Sequence, residues 1–363
     1  MGETIIISVN VVPYLMDSYG TLSIYKKPFI QLMVFLFGFW LATLLARLNY
    51  RYFFGGSLPY ILLLLSLFSL VVVLLKKFIS GKSVERWLFG FSVQPLEFAK
   101  ISLIIFLSYY IVRKGNLRQW KHFLWAMFSS FFMALLLVLQ PDRGGALFIL
   151  IITALLVYVG GVPKRVYAVM VPLMLLFVYH VISSKGYVAE RLSAWKDPFL
   201  DPEDSGYQII QSLYALARGG IMGVGIGQSF QKMGPLPASD TDYVIAIIGE
   251  EMGFLGVLTV LLLYSILVGR LLWHSIRATE LLAKLLLFGI AINFALSFFW
   301  NLAMVSNLIP PKGIALPFIS YGSSNLFASL LALGIAQSVI NYKDSTSFSF
   351  SRTPSTPMFT RQA

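Results

Sequence analysis

Runs of roughly 17 to 25 apolar residues follow one another almost from end to end of this chain, the length a helix needs to cross a bilayer core about 30 Å thick. Such runs leave no room for the polar alternation of a β-barrel strand. Inside lipid every backbone N–H and C=O must find its partner within the protein, so the runs fold as helices. Read between charged punctuation, they lie near Phe29–Leu48, Leu58–Leu75, Phe98–Val112, Phe123–Leu139, Ala146–Val162, Val166–Ile182, Tyr243–Leu272, Leu281–Leu308 and Ala315–Ile340. The apolar stretch Thr4–Met16 is too short to cross by itself and is not a convincing signal peptide. The sequence predicts an all-α fold, a polytopic transmembrane helical bundle of nine to ten helices. Composition excludes a water-soluble globule, because only 12% of the 363 residues are charged, against about a quarter in soluble domains.

The net charge of +12 reads as topogenic, with Lys and Arg collecting in cytoplasmic loops and beside anionic headgroups. No basic stripe with interleaved aromatics argues for nucleic acid. Arg47 and Arg51, then Arg113, Lys114, Arg118 and Lys121, then Lys164 and Arg165, then Arg270 and Arg277 fall at alternate turns and mark one side as cytoplasmic. Lys76, Lys77, Lys82 and Arg86 fall on the other side, against the rule. The hydrophilic segment 183–241, between the helix ending near Ile182 and the one starting near Tyr243, is then a large outer loop. A connection of that length is usually functional or disordered, and its apolar spacing argues for order. Tyr207, Ile210, Leu213 and Tyr214 share a helical face that suits the headgroup region. Residues 1–340 read as one membrane domain, and the Ser-, Thr- and Pro-rich residues 341–363 as a disordered cytoplasmic tail.

The chain has no cysteine, and its three histidines, His122, His180 and His274, are scattered; zinc and Ser-His chemistry are disfavoured. Ionisable groups in or against a bilayer are costly, which makes the sixteen Asp and Glu residues informative. Asp242 closes the outer loop directly before a hydrophobic helix. It reads either as an ordinary helix cap or as a base whose proton affinity is raised by burial and by Asp240; spacing alone favours the cap. Glu97 and Lys100 stand three apart at the outer end of a helix, where they either close a structural pair or meet a pyrophosphate and a cation. Asp142 and Arg143 form the apex of Gln140-Pro-Asp-Arg-Gly-Gly, as plain turn chemistry or as a fork for phosphate. The glycine-rich run 219–227 reads as a flexible loop, since no strand precedes it and no Lys-Ser/Thr follows. Glu250 and Glu251, two turns into the next helix, should face the bundle interior beside partners the sequence does not identify.

Five motifs, in order, resemble those of the SEDS family of cell-wall polymerases that includes FtsW and RodA. They are Gln94-Pro-Leu-Glu-Phe-Ala-Lys, Gln140-Pro-Asp, Gly206-Tyr-Gln-Ile-Ile-Gln-Ser, Leu236-Pro-Ala-Ser-Asp-Thr-Asp-Tyr followed by Ile248-Gly-Glu-Glu-Met-Gly, and Pro311-Lys-Gly-Ile-Ala-Leu-Pro-Phe-Ile-Ser-Tyr-Gly-Ser-Ser. The resemblance implies a peptidoglycan glycosyltransferase of the bacterial inner membrane that polymerises lipid II into glycan strands on the outer face. It works in cell division (FtsW-like) or elongation (RodA-like), and Pro311-Lys-Gly looks more like the division branch. The same resemblance implies Asp242 as catalytic base, with undecaprenyl diphosphate leaving under inversion. Glu97, Lys100, Asp142, Arg143, Lys312 and Ser320 are implied as substrate- or pyrophosphate-binding residues. A divalent cation, Mg²⁺ or Mn²⁺ with Glu97 or Asp142 as ligand, belongs to that expectation, and no organic cofactor does. Implied partners are lipid II, the nascent glycan strand, a class B penicillin-binding protein (FtsI-like), other division or elongation complex proteins and membrane lipid. Composition and topology fit two other readings equally: a lipid II flippase, and a noncatalytic scaffold for a penicillin-binding protein. The chain departs from the family in Arg143-Gly-Gly, which replaces an apolar residue followed by Gly-Thr, and in Asp240, where His is frequent.

Overall fold

The computed structural model describes residues 26–54, 56–81, 86–88, 93–115, 119–163, 167–182, 187–204 and 206–342. Thr4–Met16 and residues 343–363 lie outside that set, as do Lys82, Arg118, Lys164 and Arg165. Twelve α-helices occur among the described residues: α1 Lys26–Arg47, α2 Tyr50–Phe54, α3 Leu58–Ser80, α4 Pro95–Arg113, α5 Trp120–Leu139, α6 Arg143–Val159, α7 Tyr167–Ile182, α8 Tyr187–Lys196, α9 Tyr207–Gly219, α10 Val244–Ile276, α11 Leu281–Val305 and α12 Ser323–Tyr342. Seven of them, α1, α3, α4, α5, α10, α11 and α12, are long and apolar enough to cross a membrane. The chain is a multi-pass membrane protein. Helices α6 and α7 occupy predicted runs but have only 17 and 16 residues, about 25 Å at 1.5 Å per residue.

Helix α4 is the hub. It is apolar almost all round, as a helix buried on every side must be, and its residues from Pro95 to Ile111 are buried nearly without exception. Helices α3, α6, α11 and α12 pack against it, and Leu103, Ile104 and Leu107 close the space with Leu286, Ile290 and Phe294 of α11 in one apolar core. Helices α1 and α12 run side by side in the same direction. Gln31 Nε2 donates to the Ser320 carbonyl at one end, while Asn341 Nδ2 and the Tyr342 hydroxyl donate to Ala46 and Arg47 carbonyls at the other. Gly334 lets them touch, since a Cβ there would stand 2.7 Å from the Ala42 Cα; small residues permit such approach in membrane helices. Arg47, Arg113, Arg270 and Arg277 mark the ends of helices far from the α4 and α12 N-termini.

Three expectations change. The last helix begins at Ser323 rather than Ala315, because Pro317 supplies no N–H and Phe318 takes a left-handed φ of 66°. Residues 309–322 therefore form an irregular segment at the N-terminal ends of α4 and α12. The α9 helix buries Ile209, Ile210, Ser212 and Ala215 against α10 and leaves Tyr214 exposed, so the face read as meeting headgroups is in part a packing face. The run 219–227 is a clamp rather than a flexible loop. Helix α10 breaks at Gly253, φ 64°, and the freed backbone groups are taken up by the run: Val224 N to Glu250 O at 3.0 Å, Gly225 N to Glu251 O at 3.0 Å and Phe254 N to Gly220 O at 2.8 Å. A Cβ on Gly253 would stand 2.3 Å from the Ile221 carbonyl oxygen.

Glu250 and Glu251 complete the clamp. Glu250 pairs with Arg218 at 2.9 Å and accepts from the Ser229 hydroxyl and the N–H groups of Phe230 and Gln231. Glu251 pairs with the buried Lys232 at 2.7 Å. Both carboxylates face the interior, and their partners lie between Arg218 and Lys232, ahead of α10 in the chain. Gly253→Ala should lower the unfolding temperature measurably, since a side chain at positive φ costs on the order of 1 kcal/mol before any clash. Gly269→Ala, with nothing within 4 Å of its Cβ position, should leave it unchanged or raised in the same detergent melt.

Candidate active site

The carboxylates and lysines singled out above come from five segments far apart in the sequence. They converge because α4, α6, α10 and α12 all start at one end of the bundle. There a cavity of about 200 Å³ is lined by Arg86, Glu97, Lys100, Phe148, Asp242, Tyr321 and Asn325, with Gly145 and Gly313 among its backbone walls. Helix N-termini carry free N–H groups and partial positive charge, so the end wall suits an anion before any side chain is counted.

Glu97 sits in the first turn of α4, with Pro95 at the helix start. It pairs with Lys100 at 2.8 Å and accepts from Asn325 Nδ2 at 2.9 Å. Lys100 is buried and lies over the Phe148 ring, 4.9 Å from its centre. Asp142 is the N-cap of α6 and accepts from Gly145 N at 3.0 Å. Its second partner is Lys312 of the irregular segment, at 2.5 Å. Lys312 reaches it because position 144 is glycine: a Cβ there would overlap the Lys312 side chain at 1.8 Å. Burial works to raise the Asp142 carboxyl, but the Lys312 and Arg86 charges outweigh it and hold it below the usual carboxylate range. Burial lowers the Lys312 ammonium, which Asp142 only partly restores, with Arg86 and Lys100 adding to the fall.

Asp242 is different. Among the described residues its carboxylate has no hydrogen bond or ion pair, and it lies hard against Gly313, where a Cβ would meet Oδ2 at 1.9 Å. Only its backbone is tied: Asn301 Nδ2 donates to its carbonyl and to that of Ile314, each at 2.8 Å. Burial raises its proton affinity, outweighing Arg86, Lys312 and Arg191, with Asp240 adding to the rise. Two carboxylates at one site thus stand on opposite sides of the ordinary value, which is the pattern of a fixed anion beside a proton acceptor.

Asp240 is held by Lys27 at 2.7 Å. Ser320 donates to the Thr241 carbonyl at 2.6 Å and accepts from Leu316 N; it shapes the loop around Asp242 and is not among the cavity's described lining residues. Arg143 is the first residue of α6, half-buried, and also outside that lining. Asp142 and Lys312 adjoin the cavity through Gly145 and Gly313. Sequence reasoning missed Phe148 and Asn325 of the lining, whose roles depend on distant contacts, and also Arg86, which was read as a breach of the charge rule. That breach was the signal: Arg86 donates to the Pro141 carbonyl at 3.0 Å, Lys77 to Leu139 at 2.8 Å and Lys76 to Trp87 at 2.9 Å, so these cations serve the cavity end.

No group of three His, Asp or Glu side chains able to hold a metal occurs among the described residues, and Glu97 and Asp142 are each committed to a lysine. Among the described residues, Lys100, Lys312 and Arg86 supply the positive charge at this end of the bundle.

A multi-pass helical bundle with a polar cavity rich in cations at one end defines a membrane protein able to receive an anionic ligand. The family model described as "Cell cycle protein" (FtsW, RodA and SpoVE) matches residues 1–345, and the chain belongs to that family. It is 38% identical over 265 residues to a protein of Geobacter sp. (strain M18) named probable peptidoglycan glycosyltransferase FtsW, covering 72% of each chain. It is 33% identical over 300 residues to stage V sporulation protein E of Bacillus subtilis (strain 168), covering 81% of this chain and 82% of that one. Among solved structures, a chain of a peptidoglycan synthase complex described for its coordination of polymerization and crosslinking superposes with TM-score 0.71 at 28% identity, over 94% of this chain and 96% of that one. The rod shape determining protein RodA of Thermus thermophilus gives TM-score 0.61 at 26% identity, over 94% and 95%.

Lys312→Met should be severely destabilising, since removing one partner of a buried pair costs about 3–5 kcal/mol. Asp142→Leu/Lys312→Met should recover part of that loss in a thermal melt, because the stranded charge is gone.

Proposed function

We propose that this chain is a peptidoglycan glycosyltransferase that polymerises lipid II in the cytoplasmic membrane, with the cavity opening on the outer face. The observation that carries the reading is the unpaired Asp242 carboxylate in a cavity where Glu97 is paired with Lys100 and Arg86 leaves an excess of positive charge. Asp242 accepts the proton of the sugar 4-hydroxyl of an incoming lipid II. The freed oxygen forms a bond to the anomeric carbon of the growing strand while the bond from that carbon to undecaprenyl diphosphate breaks, with inversion. A base of raised proton affinity suits that transfer, because catalytic bases work best near the ambient pH. Arg86, Lys100 and Lys312 stabilise the departing diphosphate, whose charge grows in the transition state, and Glu97 and Asp142 keep the two lysines in place.

The interior beneath the cavity supports polymerisation over transport. Leu103, Ile104 and Leu107 of α4 are buried in an apolar core with Leu286, Ile290 and Phe294 of α11, where a flippase would need polar groups along a route. A class B penicillin-binding protein is the proposed partner, and cell division the proposed setting, on the Pro311-Lys-Gly segment and the names of the relatives.

In a lipid II assay with penicillin present to block crosslinking, Asp242→Asn should make no glycan while keeping the wild-type melting temperature. Glycan from a folded Asp242→Asn protein at the wild-type rate would remove Asp242 from the chemistry. The pH profile tests its environment. Asp242 must be deprotonated to act, and its proton affinity is raised, so the rate should fall on acidification with a midpoint above the ordinary carboxylate range near 4. Gly313→Ala should cut the rate at least tenfold by displacing the carboxylate, a loss equivalent to about 1.4 kcal/mol in the barrier.

A further inference from the structure

Helix α10 breaks at Gly253, and beyond the break residues 254–276 run on as helix, about 35 Å at 1.5 Å per residue, enough to cross a bilayer core of about 30 Å. Its far end is marked by Arg270. Counting back roughly 20 residues, the length that crosses the core, puts the other boundary of the core near Glu251, at the helix break. The glycine-rich clamp joins the helix at that level. Ile221, Met222, Ile226 and Phe230 of the outer loop are exposed there, Met222 at 76%, beside exposed Phe254 and Leu255 of the helix. A contiguous apolar patch of this kind in water would be costly to solubility and would mark an interaction site.

We propose that the turn from Gly220 to Phe230 is a membrane foot of the outer loop, its exposed side chains seated among the acyl chains of the leaflet on the cavity side. The patch lies at the computed level of the lipid boundary and continues the lipid-facing surface of α10 at Phe254 and Leu255. Above it stands Arg218, half-exposed and paired with Glu250, where a headgroup phosphate would be found and where interfacial arginines collect. The foot is rigid because Glu250, Glu251 and the Gly253 break fasten it to the helix, so the depth of the loop is set by the membrane. The inference stands apart from the catalytic reading, since it needs only the spanning of α10.

The chain has no cysteine, so single-cysteine variants can carry one spin label each. Met222→Cys, Glu203→Cys on the exposed loop and Leu263→Cys on the exposed middle of α10 would be labelled in the full chain, reconstituted without partner into phosphatidylethanolamine–phosphatidylglycerol vesicles. Collision rates with oxygen, which concentrates in lipid, and with a water-soluble nickel chelate are then compared. The expected result is oxygen above nickel at Met222→Cys, as at Leu263→Cys, and the reverse at Glu203→Cys. Nickel above oxygen at Met222→Cys would place the turn in water and overturn the proposal. Low rates for both reagents would mean cover by protein, such as a second copy of the chain, and would overturn it equally.

Discussion

The buried pair between Asp142 and Lys312 is the interaction on which the cavity end depends. Two charges taken out of water are stabilised only when geometry and further hydrogen bonds compensate, and here Gly145 N–H and the α6 N-terminus do so on the Asp142 side. The pair fastens the irregular segment 309–322 to the start of α6. The residue after Lys312 is Gly313, which touches Asp242, so one ion pair sets the wall against which the free carboxylate rests.

The remaining charges follow a single logic. Glu97 with Lys100, Asp142 with Lys312 and Asp240 with Lys27 are each neutralised, and Asp242 alone among these is left without a cation. Arg86, tied among the described residues to the Pro141 carbonyl, adds positive charge that no carboxylate of the wall consumes. The result favours an anionic ligand and leaves one proton acceptor able to exchange with it.

Most of the fold was legible because apolar run length is a direct reading of bilayer thickness, and the Glu97–Lys100 pair was legible because three-residue spacing on a helix brings side chains together. What escaped depends on contacts between distant segments. No periodicity reveals that Gly144 clears a path for Lys312, or that Gly253 breaks a long, mostly apolar helix, since the cause in each case is a backbone or side chain about 30 positions away or more. The late start of α12 was partly visible in Pro317 and Gly322, yet the apolar residues between them masked it. Arg86 was visible, and was set aside because a topological rule was applied to a residue with a local task.

The side-by-side course of α1 and α12 bears on how the protein is made. The first described helix is mostly exposed along its length and finds its neighbour only when the last one enters the membrane. Asn325 of that last helix holds Glu97, so Lys100 and the cavity wall acquire their final arrangement at the same moment. A nascent chain released before Ser323 would carry every one of the cavity's carboxylates but neither the Asn325 amide that holds Glu97 nor the helix that lies along α1. The last helix to be made is thus the one that completes both the flank of α1 and the wall of the cavity.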